Sequence, residues 1–117
     1  MNVDIFTACD NVQTYDGKLV ITGTFRQLSG IGKLGNLGVA VSLSYDSEEK
    51  EKHTFSIEFI GPDGGKFANN IQGEYEAASY INISINVRDV EFKQRGKHYI
   101  NLLIDDRLEK GIYIIVR

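Results

Sequence analysis

The sequence predicts an all-β protein, a single domain built as an antiparallel two-sheet sandwich of roughly seven to nine short strands. Three observations carry that expectation. Tyr80 to Val87 alternates strictly, with Ile81, Ile83, Ile85 and Val87 on one side and Asn82, Ser84 and Asn86 on the other; a period of two is that of a half-buried strand. The chain closes on two apolar runs, Tyr99 to Ile104 and Ile112 to Val116, joined by a polar, charged connection from Asp105 to Lys110 and then Gly111, which reads as a hairpin. No window repeats apolar residues at i, i+3, i+4 and i+7 over three turns, so no amphipathic helix is expected.

The other elements follow in order. Val3 to Cys9 is the first strand, and Lys18 to Arg26 the second, after a turn containing Asp16-Gly17. A glycine-rich segment, Ser29 to Gly38, reads as a flexible connection crossing between sheets. Gly38 to Tyr45 is a strand in which Val39, Val41, Leu43 and Tyr45 alternate with small or polar residues. The run Asp46-Ser-Glu-Glu-Lys-Glu-Lys52 mixes both charges and reads as a solvated loop. His53 to Ile60 puts Phe55, Ile57 and Phe59 on one face. Gly61-Pro-Asp-Gly-Gly65 is a turn, since proline presets one φ and glycine permits positive φ. Phe67 to Glu76 is less regular, a strand or an extended loop, and Val90 to Lys93 is a short extended piece before the hairpin. The last strand breaks the alternation. Ile112, Ile114 and Val116 share one face, yet Tyr113 and Ile115 make the other apolar too. Something must cover that second face, either a neighbouring loop or another subunit.

The 117 residues, 1–117, make one domain, with 42% hydrophobic and 25% charged residues, the balance of an ordinary globular protein. The net charge of −3, with both signs interspersed, supplies no basic stripe for a run of phosphates, so nucleic-acid binding is not expected. No apolar stretch approaches the ~20 residues that span a bilayer, and the N-terminus lacks the pattern of a signal peptide. A membrane is therefore not an expected partner, and the cytoplasm is the expected location. The sequon Asn82-Ile-Ser84 is then idle.

Few residues suggest chemistry. Gly30-Ile-Gly32-Lys-Leu-Gly35 matches G-x-G-x-x-G in form, but that fingerprint needs a following helix N-terminus to hold a pyrophosphate. Here a β-patterned segment follows, so no dinucleotide is expected. Leu34 and Leu37 of this segment either cap one end of the core or form a contact surface. Asp10, Asp16, Asp46, Asp63, Asp105 and Asp106 lie near turns. Aspartate is itself a turn residue; the alternative is that such loops gather hard oxygens for Ca²⁺. His53 and His98 have no Cys or His neighbour at metal-ligand spacing. Cys9, the one cysteine, reads as a small buried filler, because adjacent Asp10 raises a thiol pKa. No nucleophile elbow or catalytic triad spacing is present, and no cofactor is expected.

The opening Val3 to Asp10, Gly17-Lys-Leu19 and Gly23, the middle His53-Thr-Phe-Ser-Ile-Glu-Phe with Asp63-Gly64, and the closing Gly96-x-x-Tyr99 to Asp105 resemble a group of small uncharacterised bacterial proteins classed as a domain of unknown function. Members often carry a bulky apolar residue where this chain has Asn101, and Asp-Gly where it has Asp105-Asp106. The resemblance implies an immunoglobulin-like or C2-like sandwich in a bacterial cytoplasm and no established activity. Gly96-x-x-Tyr99 is also similar to the tyrosine near the start of a late strand in immunoglobulin-like sandwiches.

The function expected from these readings is a non-enzymatic protein-binding or assembly module. Its expected contact residues are Leu34, Leu37, Tyr113 and Ile115, and its expected partner is a protein, a second copy of the chain included. The alternative from another class is a Ca²⁺- or small-ligand-binding sandwich using Asp-bearing loops. A hydrolase whose site is dispersed along the chain is a third.

Overall fold

A computed structural model describes residues 1–46 and 50–117. Nine strands occupy most of the chain: β1 (Asn2–Tyr15), β2 (Lys18–Thr24), β3 (Gln27–Leu28), β4 (Gly32–Ser44), β5 (Lys52–Ile60), β6 (Ile71–Glu76), β7 (Tyr80–Phe92), β8 (Gly96–Ile104) and β9 (Arg107–Val116). They form a four-stranded sheet, ordered β2-β1-β4-β7, and a five-stranded sheet, ordered β3-β9-β8-β5-β6. Every strand pairing is antiparallel except that of β3 with β9, where Gln27 and Leu28 run parallel to Ile115 and Val116.

The period-two faces meet between the sheets. Leu37, Val39, Val41 and Leu43 of β4 are fully buried, as are Ile57 and Phe59 of β5, Ile100 and Leu102 of β8, and Ile114 of β9. Burying each such side chain stabilises the fold by roughly 1.5–3 kcal/mol. β7 behaves as its alternation predicts: Ile81, Ile83, Ile85 and Val87 belong to this core. Val90 to Lys93 is not a separate piece, because β7 runs on to Phe92.

Two further sequence expectations are corrected and one open alternative is resolved. The glycine-rich segment is mostly strand: only Ser29–Ile31 separates β3 from β4, and Gly32 to Gly38 pairs with β7 from Phe92 to Asn86. Gly32, Gly35 and Gly38 sit in the sheet, where open space or a close neighbour, not a tight turn, accommodates them. The less regular region resolves into β6, which begins at Ile71. The hairpin connection is shorter than Asp105 to Lys110: only Asp105 and Asp106 lie outside the strands, at φ 50° and 64°. Both central residues in the left-handed region is the requirement of a type I′ turn, and Asp16-Gly17, at φ 50° and 72°, meets it too. Of the expected solvated loop, Asp46, Lys50 and Glu51 are exposed and Lys52 opens β5, while Ser47, Glu48 and Glu49 lie outside the described residues.

β1 is long because it has two consecutive partners. Up to Cys9, paired with Gly38, it borders β4; from Cys9 to Tyr15 it borders β2. Cys9, Val12 and Ala40 form a second, smaller core with Leu19 and Ile21 against it. Ala40 points away from the side of β4 that carries Val39 and Val41. The β1–β2 hairpin is therefore folded back over the outer surface of its own sheet, on β4 and β7. The polar face of β7 holds it there. Asn86 Nδ2 donates to Val12 O at 2.6 Å and Oδ1 accepts from Val12 N–H at 3.2 Å; Asn82 Nδ2 donates to Gly17 O at 3.0 Å. Asn36 Nδ2 adds bonds to Asp10 O and Asn86 Oδ1 at 2.8 and 2.9 Å.

Candidate functional site

The exposed side of the five-stranded sheet carries the aromatic feature that the terminal strand suggested. Tyr99 and Tyr113 are register partners on β8 and β9. Each alternates with buried neighbours, His98 and Ile100 on β8 and Ile114 on β9, so both rings stand on the side away from the core. Their centroids are 6.1 Å apart at 64°, an edge-on contact, and the rings are 42% and 44% exposed. Lys97 Nζ lies 4.7 Å from the centre of the Tyr113 ring, a cation–π contact worth roughly 0.5–1 kcal/mol at an exposed site. Ile115, two residues on, is half-buried. A loop does not cover this face among the described residues. Arg26 O and Leu28 O instead accept from Ile115 N–H and Arg117 N–H at 2.9 and 3.0 Å, which closes the β9 backbone edge but leaves the tyrosines in water.

Of the four contact residues expected from sequence, the structure keeps two at that face. Tyr113 and Ile115 lie there. Leu37 is wholly buried in the core and Leu34 is half-buried against it, so of the two readings of the glycine-rich segment the core takes both leucines. Tyr99, whose Gly96-x-x-Tyr spacing resembles that of an immunoglobulin corner tyrosine, makes a ring contact with Tyr113.

At one end of the sandwich the structure assembles a polar cluster that no spacing announced. His53, first in the inward row of β5, lies between Tyr45 and Tyr75, with centroid separations of 5.8 and 5.5 Å. Its Nδ1 donates to Asp105 Oδ2 at 2.6 Å, and Asp105 Oδ1 accepts from Thr54 N–H at 3.0 Å. Asp105 N–H donates in turn to Thr54 O at 2.9 Å. The hydroxyls of Tyr45 and Tyr75 are 2.6 Å apart. The His53 bond, then the Thr54 N–H, hold the Asp105 carboxyl below the ordinary aspartate range. Burial, then the Tyr45 hydroxyl, push the Tyr75 phenol above its ordinary range.

A histidine oriented by a carboxylate has the geometry of a general base. Here the second nitrogen, Nε2, is buried and has no hydrogen-bond partner among the described residues. The dyad ties the start of β5 to the tip of the β8–β9 hairpin. His53 and Asp105 are 52 positions apart, and the only sequence signals were a histidine opening a strand and an aspartate in a turn.

The remaining residues weighed from sequence do not converge. Among the described residues no group of three or more His, Cys, Asp or Glu is placed to hold a metal ion, so the Asp-bearing loops give the Ca²⁺ alternative no geometric support. Cys9 is fully buried. Desolvation first, and Asp10 second, raise its thiol pKa, so the acid named from sequence is the lesser cause. Gly30, Gly32 and Gly35 face no helix; the described residues contain none.

Residues 4–117 match the model of a family of unknown function, DUF6941. The chain belongs to that family. The match spans the strands of both sheets. No curated protein matches the chain. Among solved structures it is similar to Pseudomonas fluorescens alkylpurine DNA glycosylase AlkC bound to DNA containing an abasic site analog, with a TM-score of 0.46 and 12% identity. The similarity covers 79% of this chain and 28% of that one, so the chain spans little more than a quarter of the glycosylase. A likeness this distant carries no argument about function. Among the described residues no helix is long and apolar enough to cross a membrane.

Proposed function

We propose that the protein is a non-enzymatic protein-binding or assembly module of the bacterial cytoplasm, and that its contact surface is the outer face of the five-stranded sheet around Tyr99 and Tyr113. The observation that supports this reading is the exposed tyrosine pair itself. Two aromatic rings prepacked edge-on in water, beside Lys97 and Ile115, offer large contact area at little further entropy cost. Tyrosine is enriched at such surfaces because its ring buries apolar area while its hydroxyl still finds a partner.

The strand order favours an immunoglobulin-like sandwich over a C2-like one. The series β9-β8-β5-β6 runs as the G, F, C and C′ strands of that fold do, and β1-β4-β7 as its A, B and E strands. Sandwich domains recruit partners through end loops or through an exposed sheet face, and the tyrosine face is of the second kind. The His53–Asp105 pair is read as structural, since it ties the start of β5 to the tip of the β8–β9 hairpin.

The test compares wild type with Tyr99→Ser/Tyr113→Ser. Both positions are exposed, so the variant should melt within about 0.5 kcal/mol of wild type beyond the small ring–ring loss. Light scattering over a concentration series reads self-association, and affinity capture reads a foreign partner. The reading predicts an association present in wild type and lost in the variant. Equal behaviour of the two folded proteins in both measurements would overturn it.

A further inference from the structure

At the end of the sandwich opposite the Asp105 turn, a cleft of about 360 Å³ opens between the Gly61–Gly65 turn and the end of β7, with His98 in its lining. The volume is that of an ordinary small-ligand pocket. The turn is held in shape from within: Gly61 N–H donates to Gly65 O at 2.7 Å and Asp63 Oδ1 accepts from Gly65 N–H at 2.9 Å. Gln94 Nε2 reaches Asp63 Oδ2 at 3.4 Å, which ties the turn to the β7–β8 connection.

His98 is the unexplained group. The residue is 1% exposed, wedged edge-on against Phe67 and Phe92 with both centroids at 5.1 Å. Nδ1 lies 3.2 Å from Gly96 O. A carbonyl oxygen only accepts, so Nδ1 carries the hydrogen, and in the neutral tautomer that this bond selects, the lone pair is on Nε2. Nε2 has no hydrogen-bond partner among the described residues. A histidine kept in an aromatic cage, with its tautomer set by the backbone and its remaining nitrogen unused, is an expensive filler. His98 lines the cleft. Around the rim stand Asp89 and Glu91 from β7, with Lys66 and Lys93.

We infer that this cleft binds a small zwitterion of amino-acid size, its ammonium group donating to His98 Nε2 and its carboxylate facing Lys66 and Lys93. The acceptor in the floor selects a donor. Asp89 and Glu91 favour that donor being cationic, and the two lysines supply the opposite sign for the other end. The binding is reversible and involves no bond-making step. It is independent of the tyrosine face, which lies on the outer surface of the sheet rather than at its end.

The experiment is a long-range ¹H–¹⁵N imidazole spectrum of the full chain, titrated separately with glycine, methylammonium chloride and sodium acetate into the millimolar range. Glycine should move the His98 Nε2 resonance saturably, and methylammonium and acetate should each bind about tenfold more weakly, having lost one end. Glu91→Gln and Lys93→Gln, both at exposed positions, should each weaken glycine by a similar factor. A His98 resonance that none of the three probes moves means a water-filled notch and overturns the inference. So does methylammonium or acetate binding as tightly as glycine, or glycine binding unchanged in both variants.

Discussion

Asn86 holds Val12 by both ends of its amide, 74 positions away in the chain, donating to its carbonyl and accepting from its N–H. One side chain thus does for Val12 what a neighbouring strand does for an ordinary ladder residue. The arrangement exists because Val12 is fully buried in the part of the β1–β2 hairpin that has left β4 behind, so its outer backbone groups have neither that strand nor water to bond.

Removing the amide should therefore cost more than a surface substitution. Asn86→Ala leaves a buried donor and acceptor unpaired, at about 1–3 kcal/mol. Asn82→Ala, which releases only Gly17 O near the hairpin tip, should cost less. Urea denaturation gives both values, and hydrogen exchange at the Val12 amide should accelerate in Asn86→Ala alone.

The His53–Asp105 bond makes stability depend on acid. The folded Asp105 pKa lies below the unfolded value, so its contribution is fully present above the unfolded pKa of about 3.9 and is lost as pH falls through the folded pKa. Asp105→Asn, which tolerates the positive φ, should be less stable than wild type near neutrality. The gap should close below the ordinary aspartate range. Melting temperatures measured down to strong acid test this; a gap that stays constant would contradict it.

Tyr75 makes the opposite prediction at high pH. Its folded phenol pKa is raised, so its contribution is fully present below the unfolded pKa of about 10 and declines as pH rises above it. In ultraviolet titration Tyr75 should ionise only with unfolding. Tyr75→Phe removes the bond to Tyr45, should cost about 0.5–1.5 kcal/mol at neutral pH, and should flatten the alkaline limb.

Cys9 and Gly38 face each other across β1 and β4 with no spare room. A Cβ at Gly38 would lie 2.7 Å from Cys9 Sγ and 3.1 Å from Cys9 O. Gly38→Ala should cost about 1–3 kcal/mol. Cys9→Ala in the same chain should recover part of that loss, since the nearer clash is with the sulfur. A double-mutant cycle that proved additive would refute the contact.

The same burial should silence the thiol. With no accessible surface and a raised pKa, Cys9 should react with a disulfide reagent only as fast as the chain unfolds. Labelling at native speed well above the unfolding rate would show a local opening at the β1 fork.

How much of this was legible in the sequence differs element by element. Ile81 to Val87 and the two terminal runs specify strands by themselves, because side-chain alternation is a local property of extended backbone. Asp16-Gly17 and Asp105-Asp106 likewise mark their own turns by tolerating positive φ. The all-β class and the sandwich layering follow from such local signals. What only the tertiary structure decided is which distant residues meet. Nothing local tells that β4 starts inside a glycine-rich segment, where pairing with β7 outweighs weak strand propensity. Nothing local tells that the polar side of β7 is a dock rather than a wet face, or that His53 finds Asp105 across the hairpin tip. The period of two separates inside from outside, but strand order and hairpin reach determine what the outside touches.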